Sequence, residues 1–348
     1  MGRRSGEVFG AKAERFNGSA AFHRAKAGAT RFSHERLGLH CRPRATHALR
    51  NVSSLVPSPV YRGRFAPSPT GALHFGSLVA AVGSWMVARH AGGRWLLRVE
   101  DIDPPREVPG SAPSILRTLE AFGMRADEPV VYQSHRHAAY EAAFDRLRER
   151  DRVFPCWCSR AELAARGGMH RDGRCIAPPD PSRPPAWRLR TPDETIRWTD
   201  DLQGPQAENL RESAGDFVIR RVEGLWAYQL ACVVDDAAQH VTHVVRGADL
   251  LDSTARQIHL QHLLGLPTPG YLHLPLVRDA DGRKLSKSAS ALPVDPADPL
   301  PALRQALGWL GVDVPEGPAT PENLLAAAIN TFDPASLRRS SLGQATAL

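Results

Sequence analysis

The most informative segment of the chain is Arg64-Phe65-Ala66-Pro67-Ser68-Pro69-Thr70-Gly71-Ala72-Leu73-His74-Phe75-Gly76-Ser77. It lies between a predicted strand, residues 61–66, and a predicted helix, residues 73–90, whose apolar side chains recur at helical spacing. A second predicted strand, residues 94–100, follows the helix. A strand, a glycine-containing turn, a helix and a strand make up the βαβ unit of nucleotide-binding sheets. The segment therefore predicts an α/β fold of the Rossmann type.

The start of the predicted helix also suggests how a nucleotide is bound. His74 is followed two residues later by Gly76, which lets ATP approach the backbone closely, and the N–H groups around Gly76 and Ser77 face phosphate at the helix N-terminus. Taken alone, this pattern is a weak signal. A capped helix that follows a proline turn has the same residues, so the nucleotide site needs further support.

Support comes from the distribution of lysine. Of the four lysines in the chain, Lys12 and Lys26 lie near the start, and residues 61–348 contain only Lys284 and Lys287. These two belong to the segment Asp281-Gly282-Arg283-Lys284-Leu285-Ser286-Lys287-Ser288, which follows a predicted strand. Compact ammonium groups in a glycine- and serine-containing loop are suited to contacting phosphoryl oxygens in a transition state. A solvated basic turn is the alternative.

The rest of the chain continues the alternation of strands and helices. Predicted helices at residues 112–122 and 137–150 lead to a cysteine-containing window and a proline-rich run at 178–185, which we interpret as an inserted subdomain at about 154–190. Strands and helices then alternate again as in a resumed α/β sheet, with strands at 187–190, 217–222, 241–246 and 271–277 and helices at 228–235 and 251–264. Two short amphipathic helices, residues 300–310 and 321–332, belong to a C-terminal segment, residues 296–348.

Composition and charge restrict the class of protein. The 348 residues are 42% hydrophobic, no run of 18 apolar residues occurs, and no secretory signal is visible, so we expect a cytoplasmic protein that does not enter a membrane. The net charge of +7 comes from residues 1–60, which hold 11 Lys or Arg against 3 Glu. We predict that this extension is disordered. It is a dispensable tail or misassigned start, a basic RNA-tethering arm, or an organellar transit peptide.

The two motifs together resemble the "HIGH" and "KMSKS" signatures of class I aminoacyl-tRNA synthetases, which stand about 210 residues apart here and in the expected order. Two motifs are similar to those of glutamyl-tRNA synthetases in particular. They are Arg64 to Gly71 and, at the end of the next strand, Arg98-Val99-Glu100-Asp101-Ile102-Asp103. The resemblance covers residues 61–295 and implies a class I catalytic domain. Only 60 residues follow Ser288, which resembles the short paralogues that lack an anticodon-binding domain.

This resemblance implies roles for individual residues. Substrate glutamate would be held by its two carboxylates and its ammonium group, through Arg64, Ser68, Glu100, Tyr228 and Arg246. A dicarboxylate amino acid needs cations for its carboxylates and an anion for its ammonium group, and Arg binds carboxylate in a bidentate way. ATP would be bound by His74, Gly76, Ser77 and Lys287, and His74, Lys284 and Lys287 would act in catalysis. Surface ion pairs and a core tyrosine are the alternative interpretation.

A cluster of metal-ligating residues lies in the inserted subdomain. Cys156-Trp157-Cys158 is followed by His170 and then Cys175. Thiolates and an imidazole in a short window are suited to a tetrahedral, structural Zn²⁺. The resembling family has a tyrosine where His170 stands and a last spacing one residue shorter. Reduced cysteines without a metal are the alternative, and Cys232 is predicted to be a core residue.

The resemblance also implies the reaction. The chain would activate L-glutamate with Mg²⁺-ATP to give glutamyl-adenylate, and would then transfer the glutamyl group to queuosine in the anticodon loop of tRNA(Asp), acting as a monomer. Two alternatives stay open. One is a shortened glutamyl-tRNA synthetase that charges the 3′ end of tRNA, and the other is a non-catalytic regulator that binds glutamate or ATP.

Overall fold

The computed structural model describes residues 60–165, 167–277, 293–314 and 316–337, all of which belong to one unit, Pro57–Leu348. The predicted N-terminal extension and the segment that contains Lys284 and Lys287 lie outside the described residues. The described part alternates strands and helices, as the sequence predicts. No helix within it is long and apolar enough to cross a membrane.

The elements follow one another in a regular order along the chain. The strands are β1 (Arg62–Phe65), β2 (Arg94–Val99), β3 (Val131–Tyr132), β4 (Val153–Cys156), β5 (Ala186–Leu189), β6 (Thr195–Asp200), β7 (Gly204–Asn209), β8 (Val218–Arg220), β9 (His243–Gly247) and β10 (Gly270–Leu274). The helices are α1 (Phe75–His90), α2 (Ser111–Ala121), α3 (His137–Glu149), α4 (Arg160–Ala164), α5 (Leu210–Ser213), α6 (Tyr228–Ala238), α7 (Thr254–Leu264), α8 (Pro299–Trp309) and α9 (Pro321–Thr331).

Two parallel groups of strands carry the α/β layer. Strands β1, β2 and β3 pair in parallel, with Arg64 opposite Leu96. Strands β6, β10 and β9 also pair in parallel, and β7 closes this group as an antiparallel edge. The two groups meet between β1 and β9, where the Arg62 backbone N–H donates to the Thr242 hydroxyl (2.8 Å) and the Thr242 N–H donates to the Arg62 carbonyl (2.9 Å). The carboxyl ends of β1, β2, β9 and β10 therefore lie at one edge, where α/β proteins bind ligands.

Helix α1 is the centre of the main core. Ten of its sixteen residues are buried, and Arg89 and His90 in the last turn suit the negative end of the helix dipole. Gly83 lets the helix approach the sheet closely, because a Cβ at this position would stand 2.5 Å from Leu274 Cδ1 on β10. Helices α8 and α9 complete the same apolar cluster through Leu303, Leu307 and Leu324. The C-terminal helices are thus packed onto the α/β layer.

A third, antiparallel sheet is made of β4, β5 and β8. It leads into the predicted inserted subdomain, since β4 ends at Cys156 and β5 begins at Ala186. The sequence did not predict the β6–β7 hairpin, which occupies residues 195–209. It also predicted one helix over 251–264, where the structure has a 3-10 helix, Ala248–Ser253, followed by α7.

Candidate active site

A cavity of about 550 Å³ opens at the carboxyl ends of β1, β2, β9 and β10, beside the start of α1. Its position agrees with the general location of ligand sites in α/β sheets. The cavity brings together every predicted glutamate- or ATP-binding residue that lies in the described part of the chain. These residues are Arg64, Ser68, His74, Gly76, Ser77, Glu100, Tyr228 and Arg246.

His74 caps the helix that faces the cavity. Its extended backbone precedes Phe75, and its Nδ1 accepts a hydrogen bond from the Ser77 backbone N–H at 3.2 Å. With Nδ1 as the acceptor, the neutral ring carries its proton on Nε2, which lies 3.0 Å from the Ser77 hydroxyl. The first turn of α1 therefore presents the positive end of a sixteen-residue helix to the cavity.

A buried cluster of four charged residues lies at β1 and β2, and two of them, Arg64 and Glu100, line the cavity. Arg64 Nε donates to Asp236 Oδ1 at 3.1 Å, and Arg98 Nη1 donates to the same oxygen at 2.7 Å. Arg98 Nη2 also donates to Glu100 Oε1 at 3.3 Å. Asp236 thus holds both guanidinium groups, and Arg98 links it to the carboxylate of Glu100. Cys232 contacts this cluster, since its Sγ lies 3.5 Å from Asp236 Oδ2.

The pKa values of the two carboxyl groups shift in opposite directions. Burial would raise the pKa of Asp236, but Arg64 and Arg98 outweigh burial and hold that pKa well below its usual range. Burial raises the pKa of Glu100, and the opposing charges of Arg98 and Arg64 do not fully compensate. Asp236 is therefore a fixed anion, whereas Glu100 is the carboxylate whose charge is more easily lost on acidification.

The neighbouring strand β9 carries Arg246, which contacts Tyr228. Arg246 Nη1 donates to Gln257 Oε1 at 2.8 Å and to the Tyr228 hydroxyl at 3.3 Å, and Nη2 donates to Thr254 Oγ1 at 2.9 Å. Tyr228 begins α6, and both side chains line the cavity. Two guanidinium groups, Arg64 and Arg246, and one carboxylate, Glu100, thus border one space. This set of charges complements an amino acid that has two carboxylates and one ammonium group.

Two buried residues that the sequence analysis did not single out lie behind Arg246 and do not line the cavity. His273 Nε2 accepts from Arg246 Nε at 2.9 Å, and His273 Nδ1 lies 2.5 Å from Asp200 Oδ2. Both side chains are fully buried. A histidine in the otherwise apolar run Tyr271-Leu272-His273-Leu274 was the available signal. Arg98, in the apolar strand β2, was a similar signal for the charge cluster that contains Asp236 and Glu100.

The predicted catalytic lysines, Lys284 and Lys287, lie outside the described residues. The residues that flank their segment are described and lie beside the cavity. Val277 lines the cavity, and Pro293 forms a bridge with His74 while the Val294 backbone N–H donates to the Leu73 carbonyl at 3.0 Å. The chain therefore leaves and rejoins the described structure next to the start of α1.

Three of the four predicted metal ligands lie together in the inserted region. The sulfur atoms of Cys156, Cys158 and Cys175 all lie within 4.8 Å of one another. The Trp157 backbone N–H donates to Cys175 Sγ at 3.2 Å, and Arg188 Nε donates to Cys156 Sγ at 3.3 Å. Such donors stabilise thiolates, and three thiolates in this arrangement fit a zinc ion.

His170, the fourth predicted ligand, is not among the residues that group with these sulfur atoms, and its role as a ligand stays a prediction. Its Nδ1 lies 3.0 Å from Asp216 Oδ2, and its Nε2 is buried without a hydrogen-bond partner among the described residues. Asp216 also accepts from the Gly173 and Thr191 backbone N–H groups. Asp216 thus fixes the orientation of the imidazole and also binds the surrounding loops.

Comparisons with known proteins show the family to which the chain belongs. The family of class I tRNA synthetases (E and Q), catalytic domain, matches residues 61–298. A protein named glutamyl-Q tRNA(Asp) synthetase from Xanthomonas axonopodis pv. citri is 56% identical over 287 residues, which are 82% of this chain and 95% of that protein. A protein of the same name from Burkholderia mallei is 54% identical over 287 residues, which are 78% of this chain and 96% of that protein.

Among solved structures, the glutamate-tRNA synthetase of Elizabethkingia anophelis superposes with a TM-score of 0.67 at 27% identity, covering 80% of this chain and 66% of that one. A glutamate tRNA ligase of Elizabethkingia meningosepticum, solved with its amino acid, gives 0.66 at 28% identity over the same shares. The chain therefore spans about two thirds of the length of these structures.

Fold and cavity together define the catalytic domain of a class I aminoacyl-tRNA synthetase, a ligase-type enzyme. The family that matches residues 61–298 is the E and Q branch of this class. Within that branch, the chain belongs to the glutamyl-Q tRNA(Asp) synthetase family.

Proposed function

We propose that this enzyme activates glutamate with ATP and transfers the glutamyl group to queuosine in the anticodon loop of tRNA(Asp). The observation that carries the proposal is the charge pattern of the cavity. Arg64 and Arg246 lie on the adjacent strands β1 and β9 and both line the cavity, Glu100 adds one buried carboxylate, and the N-terminus of α1 adds a site for phosphate. These groups suit a dicarboxylate amino acid next to a nucleotide.

In the first step, an oxygen of the glutamate α-carboxylate attacks the α-phosphorus of ATP. A new carboxyl O–P bond forms, the bond between the α-phosphorus and the bridging oxygen breaks, and pyrophosphate leaves. Class I synthetases use Mg²⁺ with ATP, and the ion neutralises charge on the phosphates. His74 and the N–H groups of Gly76 and Ser77 would stabilise the same charge from the helix side, with Lys284 and Lys287 as the proposed cations of the other side. No protein nucleophile is required.

In the second step, a hydroxyl oxygen of the acceptor attacks the activated carbonyl carbon and AMP leaves. The choice of queuosine in tRNA(Asp) as the acceptor is supported by the relatives at 54–57% identity, which match over 95–96% of their length. The similarity to solved glutamate-tRNA ligases supports a second candidate, which is charging of the tRNA 3′ end.

The two acceptors are separated by one pair of assays. We expect glutamate-dependent ATP–pyrophosphate exchange without RNA, and transfer of labelled glutamate only to tRNA(Asp) that contains queuosine. Label at the 3′ end of tRNA(Glu), with exchange that requires this RNA, would favour the second candidate. Absence of exchange under both conditions would leave a glutamate- or ATP-binding regulator.

We also propose that Cys156, Cys158 and Cys175 hold a structural zinc ion in the inserted region. The support is the grouping of the three sulfur atoms and their hydrogen-bond donors. None of the three cysteines lines the cavity, so we expect this zinc to stabilise the fold and to take no part in catalysis. The domain limits at residues 60, 154–190 and 295, the monomeric state and the cytoplasmic location also stay predictions.

A further inference from the structure

A row of buried side chains extends from the glutamate cavity across three neighbouring strands. Arg246 on β9 and His273 on β10 are direct partners in the parallel pairing, and Asp200 ends β6 on the other side of β10. The three side chains lie at the same edge of the sheet and contact one another in sequence. Only Arg246 lines the cavity.

The positions of the protons on His273 follow from its two neighbours, Asp200 and Arg246. The Asp200 carboxylate can only accept, so His273 Nδ1 carries the proton that it donates across 2.5 Å. In a neutral imidazole the other nitrogen is then an acceptor, and Arg246 Nε, which can only donate, lies 2.9 Å from it. Burial lowers the pKa of His273, which favours this neutral form.

The contact with His273 determines how the guanidinium is presented to the cavity. Because Nε is taken by His273, Nη1 by Gln257 and Nη2 by Thr254, the plane of the group is fixed from three directions. The ring of Tyr271 adds a fourth restraint, at 5.6 Å from the guanidinium carbon. The remaining direction is that of Tyr228 and the cavity.

We propose that His273, held in one tautomer by Asp200, is a positioning residue that orients Arg246 to bind a carboxylate of the substrate amino acid. This inference rests on the proposed glutamate activation. Loss of the contact between His273 and Arg246 should lower the affinity for the amino acid, because a guanidinium group that can rotate no longer offers two N–H donors at a fixed place. Binding of ATP, which uses the start of α1, is not expected to change.

The test compares two polar substitutions of the same histidine. In His273→Gln the amide oxygen can reach the place of Nε2 and accept from Arg246, whereas in His273→Asn the shorter amide reaches only the place of Nδ1. We expect His273→Asn to raise KM for glutamate about tenfold or more and to change KM for ATP by less than about twofold. His273→Gln should recover most of the affinity for glutamate.

A substitution of Asp200 tests the tautomer itself. Asp200 Oδ1 accepts from the backbone N–H groups of Leu202, Gln203 and His273, so in Asp200→Asn the oxygen stays there and the NH₂ group faces His273 Nδ1. The amide then donates to Nδ1, the ring proton moves to Nε2, and two N–H groups oppose each other between His273 and Arg246. We expect KM for glutamate to rise as in His273→Asn.

His259→Asn is the matched control, because His259 is a buried histidine of α7 that contacts the Arg190 carbonyl and not the cavity. It should leave both KM values unchanged. Equal changes in the two KM values of His273→Asn, or equal losses in His273→Asn and His273→Gln, would overturn the positioning role while leaving glutamate activation intact. A wild-type enzyme without glutamate-dependent exchange would overturn both proposals.

Discussion

Asp236 is the residue on which the charge balance of the cavity wall depends. It is buried between Arg64 and Arg98, and its replacement by Asn would leave two buried guanidinium groups without a full counter-charge. We expect Asp236→Asn to lower the free energy of unfolding by about 3 kcal/mol or more at pH 7. Urea denaturation followed by far-ultraviolet circular dichroism measures this difference.

The difference in stability between the wild type and Asp236→Asn should also depend on pH. The pKa of Asp236 is depressed in the folded state, so its contribution to stability is complete above the unfolded value of about 3.8 and is lost as the pH falls below it. The stability difference between wild type and Asp236→Asn should therefore shrink on acidification below about pH 4. A difference that stays constant down to pH 2.5 would contradict the assignment of a buried anion.

Glu100 is expected to control affinity for the substrate ammonium group. Because burial raises its pKa, Glu100 loses its charge at a higher pH than an exposed carboxylate, so KM for glutamate should rise on mild acidification. In Glu100→Gln we expect KM to be raised at least about tenfold at pH 7 and to lose this dependence. ATP–pyrophosphate exchange kinetics between pH 5 and 8 measure KM for glutamate and its pH dependence. If Glu100→Gln kept the wild-type pH profile, Glu100 would not be the group that binds the ammonium.

Site residues could be predicted where one short sequence segment contains them, and not where only the fold brings them together. His74, Gly76 and Ser77 follow from one short segment, and Arg64, Glu100, Tyr228 and Arg246 came from the resemblance. Asp200 and His273 are 73 residues apart and touch only because β6 and β10 pair. His170 was assigned from the short window of thiols and imidazole and from the resemblance, neither of which reveals that Asp216 holds its ring.

Among the elements, the turn after α5 fixes the position of the loop that contains His170. Gly215 has φ of 62°, and a Cβ there would stand 2.2 Å from the His170 carbonyl oxygen. We expect Gly215→Ala to lower the free energy of unfolding by about 3 kcal/mol or more, because it adds a clash with backbone to the strain of a left-handed residue. Urea denaturation is again the measurement.

Gly224→Ala is the matched control for that substitution. Gly224 also has a positive φ, 83°, but a Cβ there would meet nothing within 4 Å. Gly224→Ala should lower the free energy of unfolding by only about 1 kcal/mol, because it adds only the strain of a left-handed residue. Equal losses in the two variants would show that the contact with the His170 carbonyl is unimportant.

Long apolar segments with a clear starting signal were predicted best. Helix α1 was predicted because its apolar residues repeat at helical spacing and a proline turn precedes it. The β6–β7 hairpin was missed because its pattern is weak. In β7 the residues are Gly204, Pro205, Gln206, Ala207, Glu208 and Asn209, and none of the six is fully buried. Such an edge strand is specified by its partner and not by its own sequence.

For the molecule as a whole, the proposed zinc ion predicts a metal-dependent fold. We expect about one zinc per chain by mass spectrometry of the purified protein, and Cys175→Ser should reduce this content and lower the melting temperature. Cys232→Ser is the control, because Cys232 lies in the buried charge cluster and not in the cysteine group. It should keep the zinc; wild-type protein without zinc would contradict the proposal.

The cavity walls are drawn from distant parts of the chain. Arg64 and its partner Asp236 are 172 residues apart, and Asp200 reaches His273 across 73 residues. The segment that carries His74 is therefore synthesised long before the strand that carries His273. Helix α1 packs against β10 at Gly83 and Leu274, so a nascent chain that stops before β10 lacks both this support of α1 and the partner of Arg246. Under the proposed function, we expect glutamyl-adenylate to form only on chains that extend past β10.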